Sequence, residues 1–468
     1  MLLVTLDESL APGEGSRADG VWAPERRRLT LGLVLTITLV AFEALAISTV
    51  MPVVANDLGG LGLYGWVFSG FFLGNLLGIV FAGQSADRRG TAAPYLVGLS
   101  LFAVGLLAGG LAPSMGLLVV ARVAQGLGAG AIPAIAYVTV GRSYPGSARP
   151  RVFAVFSSAW VIPGLIGPAA SSAITEAWGW RAVFLALLPF VVIAAVITLP
   201  ALTRTQGPVL NEDGRPLAQD RRGHGLLLAF GVALVLGAVS GPSALVALPL
   251  GVVGAPLAVR AFLRLVPAGT VRLAPGIPAA IMVRGVLTFA FFGTDAYVSL
   301  SFQEVRNQPT WVAGASLTAC TLCWTAAAWV QERWIHRVGP RRVVGVGFVV
   351  LAASIALMFG VLGPLPIPLA VGVWGLGGFA MGLSYSPLSV TVLGLAEPGR
   401  EGSASASLQL TDVLGVALGT GMGGAFVALG ESNGWATRSA LELAFACTLA
   451  VAVAGVLAAR RLPVALPT

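Results

Sequence analysis

From Thr30 to Ala459 the chain alternates long apolar runs with short polar breaks. Six runs come first: Thr30–Pro52, Leu63–Phe81, Pro94–Leu111, Met115–Val140, Val152–Ile174 and Ala182–Leu202. Each comes close to or exceeds the ~20 residues that a helix needs to cross about 30 Å of hydrocarbon. The stretch TRTQGPVLNEDGRPLAQDRRG, rich in Gly, Pro and charge, reads as a linker. Two shorter runs follow, His224–Ser240 and Ser243–Phe262, joined by the turn SGPS. The last six are Pro278–Phe302, Trp311–Val330, Val343–Leu362, Ile367–Leu393, Ser403–Leu429 and Ala436–Ala459. The pattern predicts an all-α membrane protein with 14 spans. A disordered cytoplasmic tail is expected over residues 1–27, a six-helix bundle over 28–202 and a linker over 203–222. Two additional transmembrane helices over 223–265 and a second six-helix bundle over 277–460 complete the chain.

Composition agrees with this pattern: of 468 residues, 56% are hydrophobic and only 10% charged, far from the balance of a water-soluble domain. The net charge of +8 would suggest nucleic acid in a soluble protein, so the position of the charges decides. Every basic residue is an arginine, and they cluster in alternate connections: Arg26 to Arg28, Arg88 and Arg89, Arg142 to Arg151, Arg204 to Arg222, Arg260 to Arg272, Arg333 to Arg342, Arg400, and Arg460 with Arg461. The intervening loops hold only Arg181, Arg306 and Arg438. That asymmetry sets orientation, with the arginine-rich loops and both termini in the cytoplasm, and it leaves no case for a nucleic-acid partner. The opening MLLVTLDESLAPGEG lacks the basic start and long apolar region of a signal peptide.

Little here resembles an enzyme. Cys320, Cys323 and Cys447 lie inside apolar runs and read as packing residues, and His224 and His336 sit alone in arginine-rich loops, so no metal or cofactor is expected. No H-E-x-x-H, G-x-S-x-G or G-x-x-x-x-G-K-[ST] is present, and the absence of lysine argues against an ATP-driven pump. The two groups of six echo each other weakly, GQSADRRGTAAPY after the second run of the first six matching IHRVGPRRVV after the second run of the last six. Gly70, Gly74 and Gly78 form one stripe at four-residue spacing and Gly415, Gly419 and Gly423 another, each baring one helix face for close contact. Six plus six with internal symmetry is the architecture of secondary transporters, whose substrate site lies between repeats near the midplane.

Four motifs resemble the major facilitator superfamily, specifically its drug:proton antiporter branch with 14 spans. The loop GQSADRRG is similar to the family's motif between spans two and three through Gly83, Asp87, Arg88 and Gly90, with Thr91 where a basic residue is usual. ARVAQGLGAG resembles the fourth-span motif through Arg122, Gln125 and Gly126. PGLIGPAASS resembles the fifth-span antiporter motif through Gly164, Gly167 and Pro168, with Ser171 and Ser172 where glycines are common. FEALAISTVMP is similar to the first-span motif, with Glu43 in the place of an acid that is more often aspartate. The resemblance implies two six-helix bundles with two extra helices between them, efflux coupled to protons, and a loop acid, Asp87, that contacts the start of the helix after Arg400 and holds the inner gate shut.

An ionisable side chain at mid-bilayer costs about 2.5–3.5 kcal/mol on insertion scales, so each one demands a reason. Glu43 lies nine residues before Pro52 and Asp412 nine after Ser403, each about 14 Å from its helix end. Arg122 is seven residues after Met115 and Asp295 seven before Phe302, each about 10 Å deep. All four are expected in a shared aqueous cavity. Glu43 is either a protonation site or one half of a packing ion pair with Arg122. Desolvation favours the neutral carboxyl and a nearby arginine the charged one, so motion that separates them would load and unload a proton. Asp295 is a proton or substrate site or the partner of an unseen group, and Asp412, with Gln409 one turn earlier, has the same alternatives. Arg284, Glu304 and Glu442 lie near helix ends and read as interface anchors. Of the aromatics that could line the cavity, Phe42, Phe72, Trp160, Phe291, Phe292, Trp324 and Tyr385, the best candidate is Tyr385, in SYSP. Gln125 and Gln409 are weaker cavity candidates.

The leading expectation is a monomeric, multi-pass exporter in the cytoplasmic membrane that trades protons for amphipathic, cationic or neutral small molecules. The alternative keeps the fold and makes it a dedicated exporter or importer of a single metabolite.

Overall fold

A computed structural model describes residues 22–145, 148–203, 222–241, 244–397 and 401–465. The described residues form fifteen α-helices and no strand. They are α1 (Pro24–Leu58), α2 (Tyr64–Arg89), α3 (Ala92–Gly110), α4 (Met115–Ser143), α5 (Arg149–Ser158), α6 (Val161–Trp178), α7 (Trp180–Leu185), α8 (Leu188–Leu202), α9 (Arg222–Val239), α10 (Ala244–Leu265), α11 (Ile277–Leu300), α12 (Thr310–Val361), α13 (Ile367–Leu395), α14 (Glu401–Ser432) and α15 (Thr437–Ala458). The expected tail up to residue 21 and linker residues 204–221 lie outside the described residues.

Among the described residues, thirteen helical segments are long and apolar enough to cross a membrane. The remaining expected span, Val152–Ile174, is two helices, α5 and α6, separated by a turn at Ala159 and Trp160. Pro163 explains the break, because without an N–H it cannot bond the carbonyl of Ala159. Pro189 breaks α7 from α8 in the same way, four residues after Leu185. In the opposite sense, the expected loop IHRVGPRRVV is almost wholly helical, and two spans merge into α12 across a kink at Gly339. Gly339 has φ 78° and Gly90, which ends α2 after DRR, also has φ 78°, so the two echoed motifs bend the chain through the same backbone conformation. A side chain would strain either position.

Each half is held by backbone riding on glycine. In the first half a Cβ on Gly126 or Gly130 of α4 would overlap the carbonyl of Phe71 or Asn75 on α2, and one on Gly74 or Gly78 would overlap the carbonyl of Val123 or Leu127 in return. In the second half Gly378 and Gly382 of α13 meet the carbonyls of Cys320 and Trp324 on α12 in the same way. The Gly415 and Gly419 stripe of α14 packs on Gly285 and Phe289 of α11. The two sequence stripes therefore serve different pairings, and the repeat-matched pairs are Gly126 with Gly130 and Gly378 with Gly382. Cys320, Cys323 and Cys447 are free thiols.

The halves meet along α2 and α14, where a Cβ on Gly65 or Gly424 would overlap the other's backbone. Among the described residues, five hydrogen bonds join the halves toward the arginine-poor end. Asn56 Nδ2 donates to Glu304 Oε1 (2.6 Å), Gln303 Nε2 to the Thr49 carbonyl (3.1 Å), and Tyr64 OH to the Ala296 carbonyl (3.2 Å). Ser69 and Thr420 share a hydroxyl bond (3.3 Å), and the Gly62 N–H donates to Glu431. The added helix α9 lies over this seam: Leu228 and Leu236 are buried with Leu73 and Leu76 of α2 and with Leu410 and Leu414 of α14. Helix α10 packs on α9 through Gly231 against Ala258, while Leu245, Leu248 and Val252 point outward as a lipid-facing surface.

Candidate functional site

In the first half, α1 brings Glu43 against Arg122 and Gln125, which lie three residues apart on one face of α4. Arg122 Nη1 donates to Glu43 Oε1 and to Gln125 Oε1 (2.9 Å), Gln125 Nε2 donates to Glu43 Oε1 (3.2 Å), and Arg122 Nε donates to the Val67 carbonyl (3.2 Å). The guanidinium also covers the Phe71 ring, 4.2 Å from its centroid. Glu43 and Arg122 are 1% and 2% exposed. Every donor converges on Oε1, and the buried Glu43 Oε2 has no hydrogen-bond partner. The expected aqueous surroundings of Glu43 are thus absent in this conformation, which seals the carboxylate.

A second ion pair occupies the other half. Arg284 Nε donates to Asp412 Oδ1 (2.7 Å), while its Nη1 donates to the Tyr385 carbonyl (2.6 Å) and Ser389 Oγ (3.3 Å). Tyr385 OH donates to Asp412 Oδ2 (3.0 Å), and Thr288 Oγ1 donates to the Asp412 carbonyl (3.0 Å). The Arg284 guanidinium carbon lies over the Tyr385 ring, 3.0 Å from its centroid. Arg284 is only 4% exposed, but Asp412 keeps 19%, so this pair is open on one side. Tyr137 of α4, 41% exposed, is within electrostatic reach of Arg284, Asp412 and Tyr385. An aromatic wall continues from Tyr385 to Trp324 (centroids 5.6 Å apart), from Trp324 to Phe291 (5.6 Å) and from Phe291 to Trp374 (5.1 Å, stacked).

Sequence reasoning misplaced Arg284. Taken as an interface anchor, it is instead buried seven residues into α11 and paired with Asp412. Its depth was available by counting; its direction was not. Asp295 is also separate from the other acids, accepting from Trp374 Nε1 (2.7 Å). It lies on the first span of its half and its partner on the fourth, α12 counting as two spans, the same placement as Glu43 and Arg122. Gln409 bonds Ser405 Oγ (3.4 Å) on its own helix. Glu304 reaches Asn56 across the halves, whereas Glu442 pairs with Arg438 at an exposed helix surface, 2.9 Å apart.

The fifth-span residues lie where three helices meet. Gly164 faces Thr321 of α12, Gly167 faces Phe42 and Leu45 of α1, and the Pro168 carbonyl accepts from Ser171 (3.0 Å) and Ser172 (2.9 Å). Of the loop motif, Gly83 has open space around it and Arg88 is exposed. The Asp87 side chain and Arg400 lie outside what is described, and with them the expected inner latch.

The Asp295–Trp374 bond yields a direct expectation. Trp374→Phe keeps the ring on Phe291 but strips Asp295 of its donor, costing about 1–3 kcal/mol. Asp295→Asn combined with Trp374→Phe is expected to cost less than the sum of the two single changes in thermal unfolding; strict additivity would show that the bond carries no energy.

Against known proteins, the profile of the Major Facilitator Superfamily matches residues 33–332. A probable multidrug-efflux transporter of Mycobacterium tuberculosis is 27% identical over 451 residues, spanning 90% of this chain and 92% of the relative. A drug efflux pump of the same organism is 26% identical over 423 residues, 86% of this chain and 81% of the relative. Among solved structures, a POT family transporter in complex with 5-aminolevulinic acid superposes with a TM-score of 0.68 at 16% identity, covering 93% of this chain and 96% of the other. The human organic anion transporter MFSD10 does so at 0.58 and 17%, over 92% and 99%. The matched profile spans well over half of the chain and the helical halves superpose on transporters of that fold, so this multi-pass membrane protein belongs to the Major Facilitator Superfamily.

Proposed function

We propose that this chain is a proton-coupled exporter of amphipathic small molecules, working by alternating access as a monomer, with its arginine-rich end in the cytoplasm. The carrying observation is Glu43, a carboxylate sealed inside the first half with both donors on Oε1 and none on Oε2. Left without a partner, that oxygen costs about 1–3 kcal/mol as an unmade hydrogen bond, and more when the carboxylate is ionised. A proton at Oε2 or a separation of α1 from α4 relieves the cost, and each alternative belongs to a different step of an antiport cycle. Closure of the halves at the arginine-poor end supports a state open toward the cytoplasm, where the Arg284–Asp412 pair meets substrate. The drive is adequate, because one charge through 100 mV gains about 2.3 kcal/mol and each pH unit adds about 1.4 kcal/mol. The relatives named as a multidrug-efflux transporter and a drug efflux pump favour export of drug-like molecules over one dedicated metabolite.

The reading is tested with the purified full chain in liposomes carrying a pH-sensitive dye. A lipophilic amine presented on one side is expected to expel protons from the other; substrate movement without any proton flux would refute the coupling.

The outer closure has its own expectation. Glu304→Ala with Glu431→Ala removes two cross-half contacts worth about 1 kcal/mol each, so the open population should rise roughly tenfold or more. A cysteine placed at Thr420, behind that closure, should then react faster with an impermeant maleimide, and an unchanged rate would mean that these contacts do not gate it.

A further inference from the structure

Both oxygens of Asp412 are engaged, Oδ1 by Arg284 Nε and Oδ2 by Tyr385 OH. Arg284 is not saturated. Its Nε and Nη1 donate as described, while Nη2 has no hydrogen bond among the described residues and is not among the sealed, unpartnered atoms. A guanidinium offers a carboxylate two parallel donors, one from Nε and one from Nη2. Here Asp412 takes the Nε donor and turns its second oxygen away to Tyr385. The side chain is only 4% exposed, its guanidinium is held over the Tyr385 ring of α13, and one charged donor, Nη2, is left without a partner among the described residues beside the partly exposed Asp412.

We propose that Arg284 Nη2 receives an anionic oxygen of the substrate, so that the exporter's substrates include amphipathic molecules bearing a carboxylate, zwitterions among them. This rests on the transport reading above and narrows its substrate class from cationic or neutral compounds. A cation arriving at this cluster finds Asp412 already satisfied and must displace Arg284 or Tyr385 to bind; a carboxylate needs to displace neither. The aromatic faces of Trp324 and Tyr385, beside the donor, suit a flat apolar body attached to that acid. Tyr137, from the other half, is within electrostatic reach of Arg284 and Asp412, so a bound acid would be seated near both halves.

The test uses two fluorescent dyes, a rhodamine with its free benzoate and the methyl ester of the same rhodamine, and reads equilibrium binding to the full-length protein by anisotropy. The free acid is expected to bind about tenfold more tightly than the ester, the scale of one hydrogen bond to a charged group. In Arg284→Gln with Asp412→Asn, which removes both charges and so avoids a stranded one, the preference for the acid is expected to fall to about one, and Arg284→Lys should restore part of it. Equal binding of the two dyes by the wild type, a preference for the acid that survives in the double variant, or binding of neither dye would overturn the proposal. Selective binding of the acid without proton-coupled flux would leave this site standing and refute proton-coupled export instead.

Discussion

Glu43→Gln is expected to abolish concentrative efflux while leaving downhill exchange in place. In a one-for-one exchange, a gradient of one pH unit is worth about 1.4 kcal/mol and sustains roughly a tenfold ratio of a neutral substrate across the membrane. Without a group at this position that binds and releases a proton, the ratio should relax to about one. The substitution also strands Arg122, which is 2% exposed and draws its countercharge from Glu43. Breaking a buried pair by removing one partner costs about 3–5 kcal/mol, so a loss of transport alone would be ambiguous. Glu43→Gln combined with Arg122→Gln removes both charges and separates the two causes. If the double variant folds and exchanges substrate downhill but cannot concentrate it, the proton role stands. If it still builds a tenfold ratio, Glu43 is only a packing residue and the coupling lies elsewhere, with Asp295 and Asp412 the remaining acids to test.

How much of this was legible in the sequence follows from what a bilayer demands. Lipid offers the backbone no hydrogen bonds, so apolar runs of spanning length must be helices, and the expected spans agree with the observed helices to within a few residues at most ends. The departures lie at prolines and at polar helix ends. Pro163 splits a run whose hydropathy alone reads as one span, and the arginines of IHRVGPRRVV continue a helix that their charge suggests should have ended. Site residues were legible in depth and illegible in direction. Counting 1.5 Å per residue places Glu43, Arg122 and Asp412 well inside the membrane, but it does not say which neighbour each helix face meets. Hence one expected cavity became a sealed pair, an open pair and an acid held by Trp374. Arg284 shows the same limit most clearly, since its partner lies 128 residues away on α14. The glycine stripes revealed which helix faces are bare and left their partners undetermined.

Gly126→Leu is expected to be among the most damaging single substitutions in the first half, through packing and without touching a charge. The Gly126 position lies on the Phe71 carbonyl of α2, with the Asn75 N–H 3.0 Å from where a Cβ would be. The obstructing atoms are backbone, so no rotamer change clears them and α2 must move away from α4. Overpacking of this kind costs about 1–3 kcal/mol where side chains can yield and more where they cannot. The displacement would spread in two directions. Arg122, one turn before Gly126 on α4, bonds the Val67 carbonyl of α2, so the Glu43 pair loses its seat. Helix α2 also carries Gly65 and Ser69, which form the seam with α14, so closure at the arginine-poor end weakens as well. Gly116→Leu on the same helix is the control, because that position has open space and leucine is the better helix former. The melting temperature of purified Gly126→Leu should fall clearly below those of the wild type and Gly116→Leu, with the folded yield falling in parallel. Gly378→Leu, on the Cys320 carbonyl in the second half, should behave like Gly126→Leu if the two halves are built on the same packing rule. Equal melting of Gly126→Leu and Gly116→Leu would mean that the α2–α4 contact is loose enough to yield, and the rigid first half on which the sealed Glu43 depends would have no basis.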